Sequence, residues 1–150
     1  MHIMFICLGN ICRSPMAERV ARKIADDRGL DVTITSTGTS AEEVGRDMDR
    51  RARNLLTARG YDGDDHTARR VDRGLAAEAD LFVVAETYQG DRLAALGVDR
   101  EQIKLITDYD PEAEPGSPLP DPWYGDEDDF VETLEVLERA VPNLLDTVTR

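Results

Sequence analysis

The residues with the most chemistry in them fall in one stretch near the start of the chain, Cys7-Leu8-Gly9-Asn10-Ile11-Cys12-Arg13-Ser14-Pro15. A thiol is followed by five residues and then by an arginine, and Pro15 sits where a first helical turn favours proline. Read as strand, loop and helix start, this spacing builds an oxyanion site. Successive backbone N–H groups in a tight loop make an anion-binding nest. The helix N-terminus adds positive potential behind it, and the Arg13 guanidinium can hold two oxygens in a bidentate fork. The same field favours the thiolate of Cys7, and a thiolate aimed at a bound phosphate is a nucleophile for phosphoryl transfer. The Gly-Lys-Ser/Thr ending of a Walker A loop is missing, so ATP binding is not indicated.

Phosphoryl transfer to a thiol also needs a proton for the leaving oxygen. Two Asp-Pro pairs could supply it, Asp110-Pro111 and Asp121-Pro122. The second is followed by Trp123 and Tyr124, which can form a wall for a flat ring. The first has Glu112 and Glu114 beside it, which would meet an anionic substrate badly. Asp121 is therefore the expected acid. Cys12 reads as a residue packed under the loop. The two cysteines with His2 and His66 match no usual zinc spacing, so neither a metal nor a cofactor is expected.

Composition narrows the classes around this loop. The 150 residues carry 18 basic and 31 acidic side chains, a net charge of -13, and only Lys23 and Lys104 are lysines. There is no basic excess to neutralise phosphates, so a nucleic-acid partner is not expected. No apolar run reaches the roughly 18–20 residues that span a bilayer, so membrane insertion is not expected either. The first residues lack a basic region before their apolar run. They do not read as a signal peptide, which makes a reducing cytoplasm the expected compartment.

The elements that must hold the loop follow from periodicity. Residues 2–7 read as a strand, and 16–25, with Met16, Val20 and Ile24 on one face, as an amphipathic helix ended by Gly29. Residues 32–35 are β-branched throughout and read as a second strand. A helix is expected over 46–59, stopped by Gly60. Residues 81–84 suit a strand buried on both faces. A short helix over 88–96 and a fourth strand over 103–106 follow. Residues 108–125, with five prolines and two glycines, read as a long functional loop. A last helix over 126–148 should be kinked or interrupted at Pro142. The alternation argues for one α/β domain over 1–150, with a parallel sheet covered on both faces. Ligands of such sheets bind beyond the carboxyl ends of the strands, where Cys7 stands.

At this point the sequence resembles the low-molecular-weight protein tyrosine phosphatases. The resemblance rests on Cys7 to Glu18, on Ser36-Thr37-Gly38 as a turn after the second strand, on His66-Thr67-Ala68-Arg69, and on Asp121-Pro122-Trp123-Tyr124-Gly125. It implies a flavodoxin-like three-layer sandwich with a four-stranded parallel sheet. It implies a metal-independent hydrolase that acts on phosphotyrosine in a protein or peptide and releases inorganic phosphate. Cys7 would form a cysteinyl-phosphate in the cradle of residues 8–13 (Leu8, Gly9, Asn10, Ile11, Cys12 and Arg13), and Asp121 would act as acid and then base. Asn10 would brace the loop with help from Ser36 and His66. Ser14 would hydrogen-bond the Cys7 sulfur, and Glu18 would pair with His66. Cys12 would also trap oxidised Cys7 as a reversible disulfide.

Three departures bear on substrate. Glu42 stands near the place where many relatives carry Trp, which exchanges a stacking wall opposite Trp123 and Tyr124 for a carboxylate. Glu86 stands where many have Asp. Ile11 is bulkier than the Thr of relatives that prefer phosphoarginine, and so suits phosphotyrosine. Two alternatives stay open. A thioredoxin-coupled arsenate reductase shares this loop, but its relay needs further cysteines and none follows Cys12. A phosphate-binding module without turnover would need a lost nucleophile or acid, whereas both Cys7 and Asp121 are present.

Overall fold

A computed structural model describes residues 1–149. Its elements in chain order are β1 (His2–Cys7), α1 (Arg13–Arg28), β2 (Thr33–Gly38), α2 (Arg50–Ala58), α3 (Arg73–Ala76), β3 (Leu81–Val84), α4 (Thr87–Ala95), β4 (Ile103–Leu105) and α5 (Glu127–Val148). The four strands form one parallel sheet in the order β2-β1-β3-β4. Successive side chains of β1 point to opposite faces. Ile3, Phe5 and Cys7 join a core with Met16, Val20, Leu134, Leu137 and Val141. Met4 and Ile6 join a second core with Phe82, Val84, Val71 and Leu93. Burial on both faces explains why β1 and β3 are apolar at nearly every position. The result is the expected three-layer α/β sandwich.

Several boundaries differ from the sequence reading, each for a physical reason. The second strand runs on through Ser36 to Gly38, because Cys7 pairs with Gly38 at the end of the β1–β2 ladder. Ser36-Thr37-Gly38 is therefore strand and not turn. The helix expected from residue 46 begins only at Arg50. Residues 46–49 are held by backbone bonds to other segments, Ala68 N–H to Arg46 O at 2.8 Å and Asp49 N–H to Ile11 O at 2.8 Å. The Asp49 carboxylate then caps the helix by accepting from Arg51 N–H. α3 is too short to show a period. α5 passes through Pro142 uninterrupted. The lost N–H costs about 3 kcal/mol, but Leu137 and Val141 before it and Leu144 and Leu145 after it are fully buried, which holds both halves to the core. No helix among the described residues is long and apolar enough to cross a membrane.

Candidate active site

β1 lies between β2 and β3, so the chain leaving its carboxyl end enters the crevice where neighbouring connections diverge. That exit is the Cys7–Arg13 loop. Thr39 N–H bonds Cys7 O at 3.0 Å and Ser40 N–H bonds Leu8 O at 2.9 Å, which ties the loop to the end of β2. The approach is so close that a Cβ on Gly38 would lie 2.6 Å from Leu8 O and 3.0 Å from Asn10 N. Only glycine fits there.

Asn10 organises the loop. It is fully buried and sits at φ 59°, a left-handed conformation that Asn tolerates better than most residues. Its side-chain Nδ2 donates to Ser14 Oγ and to Ser36 Oγ, both at 2.9 Å, and its Oδ1 accepts from Arg69 N–H at 2.9 Å. Its carbonyl meets His66 Nε2 at 2.6 Å and its N–H points to Cys7 Sγ at 3.3 Å. Every polar atom of this residue is thus satisfied, as burial demands. Asn10 fills the acceptor side of Ser14, and the one Ser14 proton faces both Cys7 Sγ at 2.9 Å and Thr37 O at 3.3 Å. The Asn10 N–H and the Ser14 hydroxyl both contact the sulfur.

His66 carries its proton on Nε2, where the Asn10 carbonyl requires a donor. Burial lowers its pKa, which the Asn10 bond and Glu18 only partly oppose, so the ring is held neutral. The Glu18–His66 pairing is loose, at 3.9 Å. Glu18 is mainly engaged by Arg19 Nε at 3.2 Å and Arg22 Nη2 at 2.9 Å.

Arg13 is almost fully buried, and its Nη1 donates to Glu86 Oε2 at 2.9 Å and to Leu119 O at 2.8 Å. Its Nη2 stands 3.7 Å from Asp121 Oδ2. Burial opposes its charge, but Cys7, Asp121 and the bond to Glu86 outweigh that and hold the guanidinium pKa above its ordinary value. The side chain is a fixed cation aimed across the loop.

Cys12 is the other buried thiol, at the N-terminal edge of α1. Burial first, and then the charges of Asp49, Cys7 and Asp121, push its pKa far up, so it stays a thiol.

The two Asp-Pro candidates are separated plainly. Asp110 is buried and pairs in a fork with Arg139, Oδ1 to Nε and Oδ2 to Nη2, each 3.0 Å. The Arg139 bonds hold its carboxyl below the usual carboxylate range despite desolvation. Asp121 lines the cleft with Cys7, Arg13, Trp123 and Tyr124. Its side chain is 30% exposed. The two rings meet edge to face with centroids 4.8 Å apart, and both reach solvent. Glu42 lies on the opposite rim of the same cleft.

The structure thus brings together Cys7, Leu8, Gly9, Ile11, Cys12, Arg13, Glu42, Asp121, Trp123 and Tyr124 around one cleft, with Asn10, Ser14, Ser36 and His66 beneath it. It also places there residues to which the sequence reading gave no role. Glu43 covers Gly9, whose Cβ position is 3.1 Å from Glu43 Cγ. Glu86 holds Arg13, and Arg69 serves through its backbone N–H. Asp49 and Arg51 join the loop to the Asp121 segment. Of these, Glu86 and Arg69 are singled out in sequence by the resemblance, without these contacts, whereas Glu43, Asp49 and Arg51 are not. Among the described residues no group of three or more His, Cys, Asp or Glu side chains is spaced to hold a metal ion.

Known proteins are similar to this chain over its whole length. Residues 2–150 match the family model of the low molecular weight phosphotyrosine protein phosphatases. Low molecular weight protein-tyrosine phosphatase A of Mycobacterium tuberculosis is 39% identical over 151 residues, spanning 99% of this chain and 91% of the relative. A crystal structure of a protein tyrosine phosphatase from Entamoeba histolytica, with Hepes in its active site, superposes with a TM-score of 0.91 at 30% identity, over 99% of this chain and 96% of that one. The YwlE arginine phosphatase of Bacillus subtilis, as a mutant with a phosphorylated active site serine, superposes with a TM-score of 0.89 at 26% identity, over 100% and 97% of the two chains. With the family model matched from the second residue to the last and relatives above 30% identity over nearly their full length, the chain belongs to the low molecular weight phosphotyrosine protein phosphatase family.

Proposed function

We propose that the protein hydrolyses phosphotyrosine in proteins or peptides through a phosphorylated Cys7. The observation that carries this reading is the convergence on one sulfur. Asn10 N–H donates to Cys7 Sγ and the Ser14 hydroxyl lies 2.9 Å from it, while the fixed Arg13 cation stands between Glu86 and Asp121 at the edge of the same loop. The protonated Cys12 does not compete as a nucleophile.

In the first step the Cys7 thiolate attacks phosphorus. An S–P bond forms as the P–O bond to the aryl oxygen breaks, and Asp121 gives that oxygen its proton. In the second step Asp121, now a carboxylate, takes a proton from water. The water oxygen attacks phosphorus, the S–P bond breaks, and phosphate leaves with the thiolate restored. Arg13 and the loop N–H groups stabilise the charge on the three equatorial oxygens throughout. The phosphorylated serine in the YwlE neighbour is in keeping with a covalent step at this place in the fold. Trp123 and Tyr124 give the aryl ring a wall.

The test is hydrolysis of p-nitrophenyl phosphate at mildly acidic pH with a chelator present, for the parent and for Cys7→Ser. Chelator-resistant turnover that the variant lacks is expected. A reduced, folded parent without turnover overturns the reading. Faster turnover of phosphoarginine than of phosphotyrosine moves the substrate class to that of the YwlE neighbour.

A further inference from the structure

Arg51 belongs to the first turn of α2 and lines the mouth of no catalytic group, yet its guanidinium bridges two segments of the site. On one side it forks onto the helix cap, with Nε 3.2 Å from Asp49 Oδ1 and Nη2 3.1 Å from Asp49 Oδ2. The Asp49 backbone N–H donates in turn to Ile11 O of the phosphate loop at 2.8 Å. On the other side Arg51 Nη2 donates to Trp123 O at 3.1 Å and Nη1 donates to Gly125 O at 3.0 Å. Its Cζ lies over the Phe130 ring, 4.5 Å from the centroid, a cation–π contact. Trp123 N–H closes the chain by donating to Asp121 Oδ1 at 3.1 Å.

We propose that Arg51 is a positioning residue for proton transfer, setting the distance between the phosphate loop and the Asp121 segment through Asp49 on one side and two carbonyls on the other. This rests on the reading of Asp121 as the proton donor. Asp121 and Trp123 stand on a single 3₁₀ turn in a long loop, and Asp121 is held to Arg13 only at 3.7 Å. Without Arg51 nothing else among the described residues donates to the Trp123 and Gly125 carbonyls. The acid would then sample positions out of reach of the leaving oxygen, and proton transfer tolerates little displacement. Lysine replaces this group only in part, because one ammonium does not span Asp49 and two carbonyls in a plane.

The experiment measures kcat/KM for aryl phosphates with leaving groups from dinitrophenol to phenol, together with competitive inhibition by inorganic phosphate. The proteins are the parent, Arg51→Met, Arg51→Lys, Asp121→Asn and the Arg51→Met/Asp121→Asn double variant. For Arg51→Met a loss that grows with leaving-group pKa is expected, about 10- to 100-fold for phenyl phosphate. Dinitrophenyl phosphate turnover and phosphate inhibition should stay within about 3-fold of the parent. Arg51→Lys should fall between. In the Asp121→Asn background Arg51→Met should add almost nothing, since a residue acting through Asp121 has no effect once the acid is gone. Equal losses across the series, weakened phosphate inhibition without a slope, or additive losses in the double variant would each overturn the proposal. If Arg51→Met fails to fold, the slope of Arg51→Lys decides. A parent inactive on every ester would instead sink the reading of Asp121 and Cys7, which keeps the two failures apart.

Discussion

Asp110 and Asp121 have the same side chain and the same following proline, and their surroundings differ in the one respect that matters for proton transfer. Asp110 spends both oxygens on Arg139, and Asp121 keeps Oδ2 toward the cleft. Each therefore has its own expected variant. Asp121→Ala should leave stability near that of the parent and lower kcat/KM for phenyl phosphate by about 10² to 10⁴. Asp110→Asn should leave the folded enzyme active and cost about 2 kcal/mol of stability at neutral pH, the value of a charge-assisted pair with a partly exposed arginine. The sign with pH follows from the direction of the shift. Arg139 holds the Asp110 carboxyl below its ordinary value, so its contribution is complete above about pH 4 and is lost as pH falls through the depressed folded value. Urea unfolding of parent and Asp110→Asn at a series of pH values checks this, and a difference that stays constant below pH 4 would refute it. The choice between these aspartates was legible in sequence from their neighbours, Glu112 and Glu114 against Trp123 and Tyr124. The partner that removes Asp110 from contention was not, because Arg139 is 29 positions away and meets it only through the fold.

At the scale of elements, the site depends on how near β2 brings its end to the Cys7 loop. Sequence patterning located β1, β3 and the body of α1 because their apolar periods are set by the cores they enter. It misread the end of β2 and the start of α2, where backbone bonds to distant segments and not side-chain periodicity decide the conformation. Gly38 is the hinge of that contact. A methyl group there meets backbone atoms of Leu8 and Asn10, which have no flexible end to move aside. Gly38→Ala should therefore displace the phosphate loop, weakening inhibition by inorganic phosphate by about 10-fold or more and costing about 1–3 kcal/mol of stability. Isothermal titration with phosphate, set beside thermal unfolding, separates the two effects. Unchanged phosphate affinity in a destabilised variant would mean that the loop relaxes independently of β2.

Over the whole molecule the charge works against the phosphorylated substrate proposed for the loop. The chain carries a net charge of -13, and Arg13 is the one cation among the residues lining the cleft, facing Glu42, Glu43 and Asp121. On the proposed function, the field that would hold the phosphate is local and short in range, coming from the Arg13 guanidinium and the loop N–H groups, whereas the acidic surface acts at longer range. At low salt the Debye length is about 30 Å at 0.01 M and shrinks to about 8 Å at 0.15 M, so the surface field is screened first. An approaching phosphotyrosine peptide with flanking glutamates should be repelled, and its kcat/KM should rise several-fold as salt is added over that range. A peptide of the same length with flanking lysines should start faster and fall as salt is added, because screening removes its attraction to Glu42, Glu43 and the acidic surface. In Glu42→Gln the gap between the two peptides should narrow while p-nitrophenyl phosphate turnover stays near that of the parent, since the change leaves the loop and the acid in place. An acidic peptide whose turnover falls with salt would mean that the positive loop focuses the field beyond its rim and outweighs the surface charge.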